Sequence, residues 1–146
     1  MPAGAMTLDD IISADWSLIL DSSGSTSLPG SGIGNVVQSV ADINQCLTII
    51  ITTPLGSDPL RPTFGCDLLS WIDRPITLVR PGLVAAIVAA ITQWEPRVQL
   101  ISVVINPSAQ LGQLIIAITW QVAASAIAGL GPGNQQLVLT VPRNLA

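Results

Sequence analysis

Between Arg97 and Arg143 the chain runs for 45 consecutive positions without a Lys, Arg, Asp or Glu. About a quarter of an average globular sequence is charged, so a stretch this long must be built from buried or uncharged surfaces. Within it Leu114, Ile116, Ile118, Trp120 and Val122 alternate with Gln113, Ala117, Thr119 and Gln121. That period of two is the mark of a strand with one buried face. Val98–Ile105 and Gln136–Val141 read the same way, joined by a turn at 106–112 and an Ala/Gly-rich connection at 123–134. Leu111–Leu130 has the length of a membrane span, but Gln113, Thr119, Gln121 and Ser125 interrupt it, and the alternation favours a strand. Strands without charges also lack the residues that normally keep sheet edges from pairing with other chains. The sheet is therefore expected to be covered in its working state, by helices on one face and a partner strand at an edge.

Upstream the periodicity changes. Val36, Val40, Ile43, Leu47 and Ile50 are spaced by fours and threes, which predicts a helix from Val36 to the Pro54 stop. Cys66–Ile72 reads as a second, short helix ended by Asp73-Arg74-Pro75. Pro81 suits the first position of a third, with Val84, Ile87, Val88, Ile91 and Trp94 as its face and Pro96 as its end. Pro54–Gly65 holds three Pro and two Gly in twelve residues and contains the only Phe, Phe64, between apolar helices on both sides, so it reads as an ordered turn. Before Val36 the pattern gives a short helix start at Thr7–Asp10, a strand at Trp16–Asp21 and a Ser/Gly/Pro loop at 22–35. The fold class is α+β, with an N-terminal strand and three helices packed on a C-terminal antiparallel sheet. Residues 1–35 form an extension and residues 36–146 the domain.

The residue inventory removes most chemistry. There is no His and no Lys, hence no imidazole base or metal ligand, no Schiff base and no phosphate-loop lysine. Five Arg against nine acids give a net charge of −4, which rules against a nucleic-acid face. The N-terminus has neither a basic stretch nor an apolar run, so no signal peptide is expected. Cys46 and Cys66 are too far apart for a redox or zinc motif and read as two small apolar thiols of a reducing compartment. Asp21, Ser23 and Ser25 imitate a D-x-S-x-S metal site, yet no helix pattern follows, so a polar turn is the better reading. Gly30-Ser-Gly32-Ile-Gly34 lacks the lysine and strand of a phosphate loop. A cell-wall glycoside hydrolase (a muramidase) remains as the alternative function, with Glu95 as acid and Asp67 or Asp73 as second carboxylate. Arg97 beside Glu95 and the scarcity of aromatics speak against it. No catalytic residue, cofactor or metal is expected.

Trp94-Glu95-Pro96-Arg97 is the constellation with most to offer. It ends a helix at the point where the uncharged interval begins, and Pro96 fixes the angle between two opposite charges. It is either a local ion pair sealing the helix end or a rigid charged corner that docks another chain. In the second case Ala at Glu95 or Arg97 is expected to spare the fold and block docking.

The segment Val36–Gly56 ending Thr-Thr-Pro-Leu-Gly, then Arg61-Pro-Thr-Phe-Gly-Cys-Asp-Leu68, then Glu95-Pro-Arg97, resembles the phage baseplate assembly protein W family. This is the sheath-initiator wedge component of contractile tails and related injection systems. The resemblance covers about residues 36–141. It implies a structural virion protein of the tail baseplate, made in the host cytoplasm and present in six copies, with larger wedge proteins and the sheath subunit as partners and no nucleic acid or membrane. It also implies that Glu95, Pro96 and Arg97 meet the wedge core. The sheet, including Gln136, Leu137, Val138, Leu139, Thr140 and Val141, would accept strands from the first sheath ring.

Overall fold

The computed structural model describes residues 15–19, 36–71, 74–109, 113–123 and 133–142. The chain divides into two compact units, Met1–Gln45 and Cys46–Ala146. Among the described residues it is an α+β mixture of two α-helices and two antiparallel sheets.

In the first unit β1 (Trp16–Leu18) pairs antiparallel with β2 (Val36–Gln38), Ser17 opposite Val37. The helix expected from Val36 is therefore a strand for its first three residues. Ser39 adopts φ 54°, a left-handed conformation that separates strand from helix, and its amide donates to the Asp15 carbonyl. Helix α1 (Val40–Thr52) begins only after it. Gln45 reaches back to the Ser17 hydroxyl (2.9 Å) and the Leu18 carbonyl (2.7 Å). The Thr7–Asp10 helix start, the end of the Trp16–Asp21 strand, the 22–35 loop, the Asp21/Ser23/Ser25 motif and the Gly30–Gly34 run lie outside the described residues.

The second unit corrects the helix count. The helix expected at Cys66–Ile72 is an extended bridge followed by one 3-10 turn, Leu69–Trp71. The Cys66 amide is committed to the Thr53 carbonyl (2.9 Å), and Asp67 Oδ1 accepts from the Ser70 hydroxyl (2.6 Å), which closes a tight turn instead of opening a helix. Helix α2 (Ile76–Trp94) starts five residues before Pro81, with Pro75 as its N-cap. Pro81 inside the second turn removes a backbone bond and crowds the Thr77 carbonyl with its ring, while Val79 and Leu83 on either side of it are buried. The buried face also differs from the expected one. Val79, Leu83, Ile87, Ala90 and Ile91 are inside, whereas Val88 is 38% exposed. Thr77–Trp94 carries a single charge, Arg80, and apolar residues around most of its circumference, so spacing could not select a face. By length and composition Thr77–Trp94 is long and apolar enough to cross a membrane, and 28% of it is buried within the chain. The described part of Leu111–Leu130, by contrast, is a strand.

The expected sheet is present as a meander in the order β3-β4-β5. β3 (Val98–Pro107) and β4 (Gln113–Val122) pair with a bulge between Leu100 and Ser102, and β5 (Gln135–Pro142) pairs with β4 in unbroken register from Trp120↔Gln135 to Gln113↔Pro142. The β4 alternation holds: Leu114, Ile116, Ile118 and Trp120 are buried, and α2 packs against β3. The outer face carries the uncharged row Val104–Ala117–Val138, whose valines are 48% and 56% exposed.

Candidate docking site

Trp94 ends α2 and Glu95 caps it, its amide donating to the Ile91 carbonyl (2.8 Å). Pro96 forbids a further turn and holds Glu95 in extended backbone, φ −129°. β3 begins at once, with the Val98 amide on the Glu95 carbonyl and the Ala123 amide, just past β4, on the Arg97 carbonyl (2.8 Å). The corner is thus stitched to both the helix and the sheet.

Glu95 is the only glutamate in the chain, and it is buried at 4% exposure. Arg97 grips it with two bonds, Nε to Oε1 at 2.7 Å and a terminal nitrogen to Oε2 at 2.8 Å. The same guanidinium lies 3.6 Å from the Cys46 sulfur. Such a fork-to-fork pair fixes both side chains in one plane. Pro96 is exposed and the Arg97 side chain keeps 24% of its surface open, so these two present the corner while Glu95 braces it.

The structure joins this corner to a motif that sequence spacing left separate. The Trp94 indole N–H donates to the Thr63 carbonyl (3.1 Å), and the Phe64 ring meets Trp94 edge-on with centroids 5.2 Å apart. The Arg61 guanidinium lies 4.8 Å over the Phe64 ring and is paired with Asp58 at 3.3 Å. Arg61, Phe64 and Trp94 therefore form one stack beside Glu95–Arg97. The lone Phe next to a Trp-ended helix was the available sequence signal, but nothing in the chain order pairs them. Trp71, which lies against Gly82 of α2, carried no sequence signal at all.

Of the three carboxylates weighed for sugar hydrolysis, Glu95 and Asp67 do not line a common cleft. Both Glu95 oxygens accept from the Arg97 guanidinium, and the side chain is 5% exposed. Asp67 borders an open cleft of about 300 Å³ lined otherwise by residues such as Leu55, Thr63, Ala86 and Ala89, with no aromatic and no second carboxylate. Asp73 lies outside the described residues. No cluster that could hold a metal ion occurs among the described residues.

The two cysteines form no disulfide. Burial, with Asp67 adjacent, pushes the Cys66 thiol up to about 11. Below that pH it stays protonated, so in a Cys46→Ala variant maleimide labelling at pH 8 is expected to run roughly a hundredfold slower than in the urea-unfolded chain. Equal rates would contradict the packing described for Cys66.

A family model described as Baseplate wedge protein gp25 matches residues 37–126, a span that contains α1, the Pro54–Gly65 turn, α2 and the Glu95–Arg97 corner. The chain belongs to the baseplate wedge protein gp25 family. It is 35% identical over 110 residues to baseplate protein W of Escherichia phage P2, covering 75% of this chain and 88% of that one. Identity to baseplate wedge protein gp25 of Enterobacteria phage T4 is also 35%, over 81 residues, 55% of this chain and 61% of the relative. Among solved structures it resembles a chain provisionally described as a tail lysozyme of Geobacter sulfurreducens, with TM-score 0.61 and 30% identity over 73% of this chain and 94% of that one. It also resembles a chain of the postcontracted pyocin R2 baseplate, with TM-score 0.53 and 26% identity over 62% and 92%. A chain of the type VI secretion baseplate complex shares the fold, with TM-score 0.55 at 13% identity over 70% and 93%. As a wedge protein of contractile-tail baseplates, the chain has relatives that are structural components, consistent with a non-enzymatic role.

Proposed function

We propose that this wedge protein initiates the tail sheath. It seats the Glu95–Pro96–Arg97 corner on the core formed by the larger wedge proteins, and offers its sheet to the first sheath ring. Six copies, one per wedge, would give that ring its symmetry. The chain would be made in the host cytoplasm and carried in the virion baseplate, without cofactor, nucleic acid or membrane.

The observation that carries this reading is the state of the sheet edges. β5 is a regular eight-residue strand with no charge and no bulge, and among the described residues it is paired on one side only. The other edge strand, β3, is broken by the bulge at Ile101. Bulges blunt an edge, whereas a flat uncharged strand invites another. Added strands are held by main-chain bonds, which suits a template that must accept a partner in one register.

Proline substitution at Val138 and at Leu139 tests it. Successive residues of an edge strand direct their N–H groups alternately to the neighbour and to the open side. One of the two prolines therefore removes an outward N–H and spares the β4–β5 ladder. That variant is expected to fold, enter baseplates and leave them without sheath, as seen by electron microscopy. Sheaths of normal length on baseplates carrying both variants would refute the templating role of Gln136–Val141.

A further inference from the structure

Leu60 is 92% exposed, far above the other exposed large apolar side chains among the described residues, of which Leu78 at 59% is next. A single exposed leucine on a loose loop needs no explanation. This one is held by a fully braced turn. Its own amide donates to Asp58 Oδ1 at 2.9 Å, and the Arg61 amide donates to the Asp58 carbonyl at 3.2 Å. The Ser57 amide donates to the Pro54 carbonyl and the Phe64 amide to the Arg61 carbonyl. Pro59 and Pro62 restrict the backbone on either side of Leu60 and Arg61. The Leu60 amide, helped by the backbone and side chain of Arg61, holds the Asp58 carboxyl below its ordinary value, in keeping with a carboxylate that organises the turn.

The brace continues into the docking corner through Arg61 on Phe64 and Phe64 on Trp94. A stiff turn that carries a bare apolar side chain has already given up the conformational freedom that binding would otherwise cost. It stabilises nothing inside the chain by doing so. Asp58 and Arg61 pair next to the leucine, so the projecting turn carries no net charge and offers an ionic partner or an anionic lipid surface no net attraction.

We propose that Leu60 is an anchor that enters an uncharged apolar pocket on the same larger wedge protein that receives the Glu95–Arg97 corner. This rests on the docking role proposed for that corner. The Leu60 turn and the corner would be two ends of one interface, rigidly spaced by the Arg61–Phe64–Trp94 stack, with the leucine supplying affinity in the manner of a buried hot spot.

The test supplies full-length variants in trans to a phage whose own copy of the gene is disrupted, and counts this chain per purified baseplate by quantitative mass spectrometry. Leu60→Ser is expected to keep its denaturation midpoint and lose at least tenfold in occupancy, while Leu60→Met stays near wild type. A photo-crosslinking residue at position 60 should join a larger wedge chain. Wild-type occupancy of Leu60→Ser would overturn the proposal, and so would a crosslink to the sheath alone. Leu60-dependent binding of the purified chain to phosphatidylglycerol vesicles would overturn it in favour of a lipid contact. Pro96→Asp separates the two ideas. If it enters baseplates normally while Leu60→Ser does not, the corner reading fails and the shared interface falls with it, leaving Leu60 as a separate contact. The reverse result removes the anchor and keeps the corner.

Discussion

Gly65→Ala should lower the stability of this chain by about 4 kcal/mol, the sum of a strained backbone and a collision that cannot relax. Gly65 sits at φ 103°, where an L side chain is strained whatever space surrounds it. A Cβ there would also run into the Thr53 carbonyl and the Pro54 backbone. Backbone atoms cannot swing aside as a flexible side chain can. The same carbonyl accepts the Cys66 amide, so relief of the clash would cost the bridge that closes the Pro54–Gly65 turn. Gly56 is the internal control. It has φ 81° but open space around the added carbon, so Gly56→Ala should cost only about 1 kcal/mol. Urea unfolding of both variants checks this, and equal losses would mean that the collision is absent.

Breaking the Glu95–Arg97 pair from either side should cost about 3 kcal/mol, because each single change strands a charge that the fold has taken out of water. Arg97→Ala should be the worse of the two: the Glu95 carboxylate it leaves is 5% exposed, whereas the Arg97 left by Glu95→Ala is 24% exposed and can reach solvent. This revises the expectation that alanine at either position leaves the fold intact, since spacing gave no measure of how deeply Glu95 is buried. Changing both, Glu95→Met with Arg97→Met, should recover most of the loss, because a buried ion pair replaced by apolar groups of similar size is often neutral. Thermal unfolding of the three variants is the check, and a double variant no more stable than the worse single would rule out pairing as the cause. The double variant is also the clean probe of docking. It keeps the helix end packed but removes the charges, and it should fail to enter baseplates if the corner binds through them.

The sheet was legible in the sequence because a strand's period of two is simple and β4 obeys it from Leu114 to Trp120. The helices were less so. Val36 and Val40 share a helical spacing, yet Ser39 turns left-handed between them and Val36 joins β1. A pairing with residues twenty positions away outweighed a local pattern. In α2 apolar residues surround most of the helix, so the sequence could mark a helix but not its buried side or its first turn before Pro81.

What the chain by itself determined is which side-chain chemistry it lacks and where its sheet lies: it has no His or Lys, and its 45 uncharged positions hold all three strands β3, β4 and β5. Tertiary structure alone decided that Glu95 lies buried under Arg97, that Phe64 meets Trp94, and that Leu60 is held in the open. Periodicity reports how one element faces the core. Contacts between distant segments follow from where each element lands, which no local spacing encodes.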